Sequence, residues 1–415
     1  MSPMPIPDEM PETDAVPCSI LRGGTSRGVF FRIKDLPSDR DEIAQILLNV
    51  MGSPDARQIN GLGGATSQTS KVAIIGPPTR PDADVDYTFA QVSVTQPVVD
   101  WGGNCGNISS AVGPYAVNAG MVPAQARETV VRVHNTNTQK IITVKVPTVA
   151  GRTATFGECA IPGVPGTGPR IEMDFVDPSG SVTGALLPTG QPRDSITIAD
   201  GRTFQVSVVD AANPVAFLLA SELQLTGVES PQEIEARTEV TDVLEEVRCI
   251  VAERLGIVDR ASEATGTSPG LPKVGFVAAP ARHTVSTGAV VEVEDADVVG
   301  RLMSMQTAHR TYMLTGAVCT AAAAMIEGSV VHEVTRPAEP YADGRRGVRI
   351  ANPYGVMNAI VTGGTGDLLV ASVAVERTAR AIMDGAVHVP VRLLAGRPAE
   401  AAVAEPAVAP VPIAR

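Results

Sequence analysis

Short runs of alternating apolar and polar residues recur along most of this chain. The clearest lie at 16–24, 70–76, 87–95, 129–148, 170–177, 195–210 and 344–363. Side chains on a strand point alternately to its two faces, and Gly, Pro, Asn and Asp separate these runs, so the pattern predicts antiparallel β-sheet. Helical spacing is rarer and predicts helices at 41–51, 107–119, 231–255, 295–306, 311–327 and 375–383.

The order of these elements repeats in the two halves of the chain. Each half runs through strands, then a helix of small residues, at 107–119 or 311–327, then further strands. A helix built from Gly, Ala and Ser fits inside a curved sheet where longer side chains do not. The sequence therefore predicts two similar domains, residues 1–190 and 191–397, each a sheet around one buried helix, and an Ala/Pro-rich disordered tail at 398–415.

Composition narrows the classes of function. The formal net charge is −12 at pH 7, and no stretch has the clustered Lys and Arg that phosphate neutralisation requires, which argues against a nucleic-acid partner. No run reaches the ~18 consecutive apolar residues of a transmembrane helix, and the Pro- and acid-rich start is unlike a secretory signal. We therefore expect a cytoplasmic protein, monomeric or homodimeric, that contacts neither nucleic acid nor membrane.

One cysteine stands apart from the others. The five lack CxxC or His-paired spacing, which indicates a reducing compartment and no structural metal: Cys18, Cys105, Cys159, Cys249 and Cys319. Cys105 lies among three glycines in WGGNCGN, at the start of the first small-residue helix. The N-terminal end of a helix lowers a thiol pKa, and its free N–H groups bind carboxylates. Without these flanks, the residue would fit a small buried apolar side chain equally well.

A second glycine- and hydroxyl-rich loop, GLGGATSQTS at 61–70, leads to Lys71 at the start of the apolar strand VAIIG. Burial lowers the pKa of an amine, so a lysine in such a position can take a proton from carbon. The loop does not match the phosphate-binding pattern GxxxxGK[ST], and a strand follows it rather than a helix. Taken alone, it also fits a solvated lysine after a flexible turn.

Three further runs carry groups suited to carboxylates: RGGTSRG at 22–28, APAR at 279–282 and SMQTAHR at 304–310. Arginine meets a carboxylate with two parallel hydrogen bonds, and hydroxyls and glycine amides add donors. The first run also fits an ordinary hairpin turn. His309 is more typical of a hydrogen-bonded structural histidine than of a base.

Taken in order, six blocks of the chain resemble those of the PrpF family, which includes 2-methylaconitate cis-trans isomerase, 4-oxalomesaconate tautomerase, aconitate isomerase and methylitaconate isomerase. They lie at 22–31, 52–74, 99–117, 163–190, 310–324 and 377–390, so the resemblance covers nearly the whole chain. It implies the α+β, diaminopimelate epimerase-like fold, with two pseudo-symmetric domains and the active site between them.

The resemblance also implies the site residues. Lys71 and Cys105 correspond to the catalytic pair of the family, which uses no cofactor and no metal. Substrate carboxylates are expected to contact the blocks that contain Thr25, Ser26, Gln68, Ser70, Asn104, Gly106, Asn107, Arg282 and Ser304. Related racemases use two facing cysteines, but the second half has none in the corresponding position, because Cys319 lies inside its helix. A two-thiol racemase is therefore excluded.

The expected activity is a cofactor-independent isomerisation that moves an allylic proton in a small unsaturated tricarboxylate such as aconitate or 2-methylaconitate. Two alternatives within the family are a 4-oxalomesaconate tautomerase and a methylitaconate isomerase. Two others belong to different classes: a non-catalytic accessory partner of a dehydratase, and a protein that binds a small di- or tricarboxylate without turning it over. Deuterium exchange from heavy water into the substrate distinguishes an enzyme from both.

Overall fold

The computed structural model describes residues 12–337, 339–364 and 369–396. The predicted tail at 398–415 lies outside the described residues. Those that are described form the α-helices α1 Arg40–Met51, α2 Gly106–Asn118, α3 Pro231–Glu235, α4 Thr238–Arg254, α5 Ala264–Thr267, α6 Leu314–Ala324 and α7 Val330–Val334. Short 3-10 helices lie at Ile33–Asp35, Ala220–Leu223, Ala261–Glu263, Val293–Asp295 and Val391–Leu393.

Strands make up most of the remaining regular structure. The first half contains β1 Thr13–Gly23, β2 Ser26–Arg32, β3 Lys71–Gly76, β4 Val85–Val92, β5 Val99–Asp100, β6 Arg127–Asn135, β7 Lys140–Val149, β8 Arg152–Thr153 and β9 Ile171–Val176. The second contains β10 Asp194–Thr197, β11 Thr203–Ala211, β12 Asn213–Leu219, β13 Lys273–Ala278, β14 His283–Thr284, β15 Val290–Val291, β16 Val298–Ser304, β17 Thr307–Ala308, β18 Arg346–Asn352, β19 Gly355–Gly363, β20 Val370–Arg377 and β21 Ala379–Pro390.

The strand pairing shows an internal two-fold repeat. One set runs β21-β1-β2-β3-β4-β6-β7-β9, and a second set runs β10-β11-β12-β13-β16-β18-β19-β20. In each set the third and fourth strands are parallel, as are the fifth and sixth, and all other neighbours are antiparallel. The sets join through the antiparallel pair β9–β20. This confirms the predicted α+β, pseudo-symmetric architecture.

A helix of small residues fills the centre of each set. Residues 106–117 of α2 are buried against β1, β3, β6 and β7, and all of α6 is buried against β11, β12, β19 and β20. Space beside these helices is narrow: a Cβ on Gly113 would lie 2.8 Å from Cγ2 of Val146. The structure therefore has two curved sets of strands, each around one helix. This is the arrangement that the repeated small-residue pattern predicts.

The close fit at α2 leads to a stability prediction. Replacing Gly113 with Val should lower the free energy of unfolding by about 1–3 kcal/mol, because the added methyl groups overpack the wall formed by β7. Urea unfolding followed by circular dichroism measures the change. Gly266 in α5 is the matched control, since a Cβ there meets nothing within 4 Å, so Gly266→Ala should not destabilise the protein. A Gly113→Val protein as stable as the original would contradict this packing.

Two predicted helices are wrong. Residues 298–304 form β16, and residues 375–383 belong to β20 and β21. All of β16 is buried: Val298 and Leu302 pack against the central helices, whereas Val299 and Met303 pack in separate clusters. A strand covered on both faces lacks polar alternation, so its sequence cannot be told from that of a short buried helix.

The predicted domain boundary at residue 190 falls between β9 and β10 and stays a prediction. Strand β21 does not follow this boundary. Although β21 belongs to the predicted second domain, it pairs with β1 from Thr13 opposite Pro390 to Gly23 opposite Ala379. The last strand of the described chain thus completes the sheet of the first half.

Candidate active site

A cavity of about 50 Å³ lies where the N-terminal ends of the two central helices meet. Its walls come from both halves, with β3, β4 and α2 on one side and β12, β13 and α6 on the other. The helix ends approach so closely that a Cβ on Gly106 would collide with the side chain of Leu314. The positive ends of both helix dipoles therefore converge on one small space, which favours an anion there.

Lys71 reaches this cavity from the start of β3. Its side chain is 8% exposed, and Nζ donates a hydrogen bond to Oε1 of Gln91 and lies 5.1 Å from the centre of the Phe89 ring. The amide of Gln91 is itself fixed, because Nε2 donates to the carbonyls of Ser70 at 2.9 Å and Ser67 at 3.2 Å. The amine is thus buried and held in one orientation at the cavity wall.

Cys105 is the N-cap residue of α2 and also lines the cavity. Its side chain makes no capping hydrogen bond, so it does not compete for the N–H groups of the first helical turn. The backbone beside it is braced from the second half: Nδ2 of Asn213 donates to the carbonyl of Asn104 at 3.0 Å and to Oγ1 of Thr315 at 3.1 Å. One asparagine therefore ties the two helix ends together.

The corresponding position of the second half holds Met313, the N-cap residue of α6. A thioether carries no transferable proton. Cys319 lies inside α6 and is fully buried. These positions agree with the sequence-based exclusion of a two-thiol racemase.

Lys273 is a cavity residue that the sequence reasoning missed. It is the first residue of β13, the position that Lys71 holds in the equivalent strand β3. Burial lowers its pKa to about 8; Asp100 opposes this change, and the charge of Lys71 adds to it. The signal was present in the sequence, because both lysines begin a short apolar strand, KVAIIG or KVGFVA. Aligning the two repeats strand by strand would have paired them.

His309 lines the same cavity from the segment between β17 and α6. Its pKa is lowered to about 4, mainly by burial, with smaller contributions from the nearby Lys71, Lys273 and Arg310. Its Nδ1 accepts a hydrogen bond from the backbone N–H of Thr311 at 3.2 Å. The ring is therefore neutral at physiological pH, which fits the expectation that it is not a base.

Most of the predicted substrate-binding residues come together here. The cavity is lined by Ser26, Gln68, Asn104, Gly106, Asn107 and Ser304. Two others lie behind its wall. Thr25 contacts Asn107 and Thr311 through its hydroxyl, and the Ser70 hydroxyl accepts a 2.7 Å hydrogen bond from Nε2 of Gln58. Both therefore support the wall instead of facing its interior.

Arg282 is not brought to the cavity, and its predicted role in substrate binding is corrected. Its side chain is 66% exposed and forms an ion pair with Glu292 at 3.0 Å. The reason is strand direction. Lys273 begins β13 at the cavity, whereas Arg282 follows the other end of that strand, roughly 20 Å away for six residues at about 3.3 Å each.

A second chamber of about 380 Å³ adjoins the cavity and shares five lining residues with it: Ser67, Gln68, Gln91, Met305 and His309. Hydroxyls and amides predominate among its polar groups, and its one arginine, Arg310, is paired with Glu235. Among the described residues, no group of three or more His, Cys, Asp or Glu side chains could hold a metal ion. None of the described helices is long and apolar enough to cross a membrane.

Comparison with known proteins gives consistent matches along the chain. The family model described as PrpF protein matches residues 14–390. A 3-methylitaconate isomerase of Eubacterium barkeri is 44% identical over 375 residues, which cover 90% of this chain and 97% of that protein. A 2-methyl-aconitate isomerase of Cupriavidus necator is 36% identical over 394 residues, with 90% and 97% covered.

Solved structures agree. The crystal structure of a methylitaconate-delta-isomerase matches with a TM-score of 0.75 and 43% identity, covering 92% of this chain and 98% of that one. A hydroxyproline epimerase from Agrobacterium vitis matches with a TM-score of 0.51 at 12% identity, covering 92% and 95%. The second match concerns the fold alone, and it extends the likeness to epimerases of the same architecture.

Proposed function

This chain belongs to the PrpF family and is an isomerase, and we propose that it moves an allylic proton in a small unsaturated acid through Lys71. One observation carries the proposal. An oriented lysine amine and the N-terminal ends of two helices line the same small cavity. This arrangement pairs a proton acceptor with a receptor for negative charge.

The reaction follows from that pairing. Lys71, in its neutral form, takes a proton from the carbon next to the C=C bond, and the electrons of the C–H bond spread through the double bond onto a carboxylate. N–H groups of Gly106 and Asn107 stabilise this dienolate, because they point at charge that develops only in the transition state. Returning the proton at the other end of the system shifts the double bond. Returning it after rotation about the former double bond interchanges cis and trans.

Two further side chains have proposed roles. Lys273 keeps its proton below pH ~8 and balances the charge of a substrate carboxylate, with Asp100 as its counter-ion. Cys105 either serves as a second acid or base or only contributes to the carboxylate site. One base suffices for both proton transfers, so Cys105 is the less critical of the two residues predicted to be catalytic.

Two carboxylates fit the site best, since each helix end offers one set of free N–H groups. A dicarboxylate of the methylitaconate type is our first choice of substrate, and the 44% identity to a 3-methylitaconate isomerase supports it. A tricarboxylate of the aconitate or 2-methylaconitate type is the second choice. The adjoining chamber favours it, because hydroxyls and amides there could receive a third carboxylate.

Proton NMR in heavy water tests the proposal. The purified protein is incubated separately with methylitaconate, cis- and trans-aconitate, 2-methylaconitate and 4-oxalomesaconate. We expect one of them to gain deuterium at its allylic carbon and to form its isomer. If a folded protein binds these acids without exchange, the chain is a binding or accessory protein and the proposed reaction is wrong.

The pKa of Lys273 gives a pH prediction. Because burial lowers it to about 8, the ammonium is present below that pH and is lost as the pH rises through it. We expect kcat/KM to fall above pH ~8, since this quantity follows ionisations of the free enzyme. Initial rates from pH 6 to 10 measure the profile. In a Lys273→Arg protein the fall should move to higher pH; an unchanged profile would assign it to another group.

A further inference from the structure

A chain of hydrogen bonds crosses from one half of the molecule to the other behind the cavity. It begins at Arg377, whose Nε lies 3.2 Å from Oδ1 of Asn107. Nδ2 of Asn107 lies 3.2 Å from Oγ1 of Thr25, which lies 3.2 Å from Oγ1 of Thr311. Oγ1 of Thr311 lies 3.4 Å from Nδ1 of His309. The chain therefore ends on a ring in the cavity wall.

The donors at the two ends of this chain are fixed, whereas the hydroxyl contacts between them can run in either direction. A guanidinium only donates, so Oδ1 of Asn107 accepts and its NH₂ group must donate to Thr25. Each hydroxyl can both donate and accept; in the direction that leads to the ring, Thr25 donates to Thr311 and Thr311 donates to Nδ1 of His309. A backbone N–H also only donates, and that of Thr311 points at the same Nδ1. The backbone N–H of Thr311 thus leaves Nδ1 unprotonated and places the proton of the neutral ring on Nε2, and the hydroxyl contacts agree with this when they run toward the ring.

The ring of His309 borders the space where the substrate is proposed to bind, and Nε2 is the nitrogen left for a ligand. His309 lines both the cavity and the adjoining chamber, and Nε2 makes no hydrogen bond within the described part of the chain. The basic groups around the ring are Lys71, Lys273 and Arg310, and Arg310 is paired with Glu235. A positive charge on the buried ring would be costly beside these basic groups, so the ring stays neutral while its N–H remains available.

We propose that His309 is a further catalytic residue, which donates its Nε2–H to the carboxylate oxygen that takes up charge in the dienolate. Arg377, Asn107, Thr25 and Thr311 are positioning residues that hold its tautomer and orientation. This inference rests on the proposed isomerase function. A neutral imidazole suits the role, because it strengthens its hydrogen bond as charge develops and does not quench the intermediate by giving up the proton.

Nitrogen NMR of the histidine rings tests the tautomer without any substrate. The full-length protein carries ¹⁵N-labelled histidine, and a His309→Gln protein assigns the signals. We expect the Nδ1 of His309 to have the shift of an unprotonated ring nitrogen, with Nε2 protonated, unchanged from pH 6 to 8. The opposite tautomer, or a ring that titrates in this range, would overturn the proposal even if the enzyme is an isomerase.

Kinetics of matched variants test the catalytic contact. His309→Leu should lower kcat by about 10²–10³-fold with a much smaller change in KM, the effect of removing a donor to developing charge. His309→Gln offers an amide N–H and should recover much of the loss, whereas His388→Leu, on exposed β21, should change nothing. Full activity in the His309→Leu protein would refute the role. If the original protein isomerises none of the acids, the proposed function fails instead, and the NMR result still decides the tautomer.

The Thr25 hydroxyl tests the positioning chain. Thr25→Val keeps the shape of the side chain but breaks both of its hydroxyl contacts, and should lower kcat while leaving KM almost unchanged. Thr25→Ser keeps the hydroxyl and should restore the rate. A purely structural role predicts equal effects of the two substitutions, or effects that follow thermal stability, and either result would count against the chain.

Discussion

Lys71→Met should lower kcat by about 10²–10⁴-fold, the usual contribution of a positioned general base. Methionine keeps the length and apolar stem of the side chain, so packing beside Phe89 is preserved while the proton acceptor is lost. Initial rates of isomerisation and of deuterium exchange should fall together, because both need the same C–H bond to break. A Lys71→Met protein that retains normal exchange would remove Lys71 from the mechanism and make Lys273 the base.

Two further variants serve as comparisons for Lys71→Met. Lys34→Met changes a lysine that is exposed and remote from the cavity, and should leave the rate unaltered. Cys105→Ser keeps a small polar group at the N-cap of α2. If the thiol only helps to bind a carboxylate, this protein should be slowed much less than the Lys71 variant. An equally large loss would show that the thiol transfers a proton.

Lys273→Met should lower kcat/KM by about 10²–10³-fold and at the same time stabilise the fold at neutral pH. The loss follows from removing a cation that faces developing negative charge. The gain in stability follows from the linkage between protonation and folding, since the pKa of Lys273 is lowered from 10.5 in the unfolded chain to about 8 in the folded protein. At pH 7 the amine is charged in both states, and burial of that charge opposes folding by up to about 3 kcal/mol.

Denaturant unfolding at two pH values measures that cost. From pH 7 to pH 10 the contribution of Lys273 to stability should become more favourable, because the folded state sheds the buried charge before the unfolded chain does, so the advantage of the Lys273→Met protein over the original should shrink. The Lys273→Met protein should lack this contribution. Lys34→Met again serves as the control, since it removes an exposed lysine. A Lys273→Met protein that is both less stable and fully active would show that the amine has a structural role.

Sequence analysis identified the side of the cavity that carries Lys71 and Cys105, because short continuous segments of the chain form it. Lys71 and Cys105 each follow a glycine-rich loop at the start of an element, so residue order alone reveals them. Lys273 depends on the internal repeat: its importance becomes visible only when β13 is matched to β3. His309 was seen but taken as structural, because the cations that surround it come from distant parts of the chain.

The errors also have physical causes. Arg282 was grouped with the site by its residue type, although the length of β13 carries it to the opposite end of the sheet. The helix predicted at 295–306 failed because the residues of β16 are covered on both faces, which erases the two-residue period. In each case the deciding information lies in strand direction or layer order, which neighbouring residues do not encode.

The pairing of β21 with β1 has a consequence for how the protein is made. During synthesis the first half emerges long before residues 379–390, yet its sheet has no edge partner for β1 until they leave the ribosome. A nascent chain therefore displays an open strand, 13–23, for nearly the whole of translation, and such edges attract other chains. Emergence of residues 379–390 closes that edge, so a strand translated late completes the sheet of the first half.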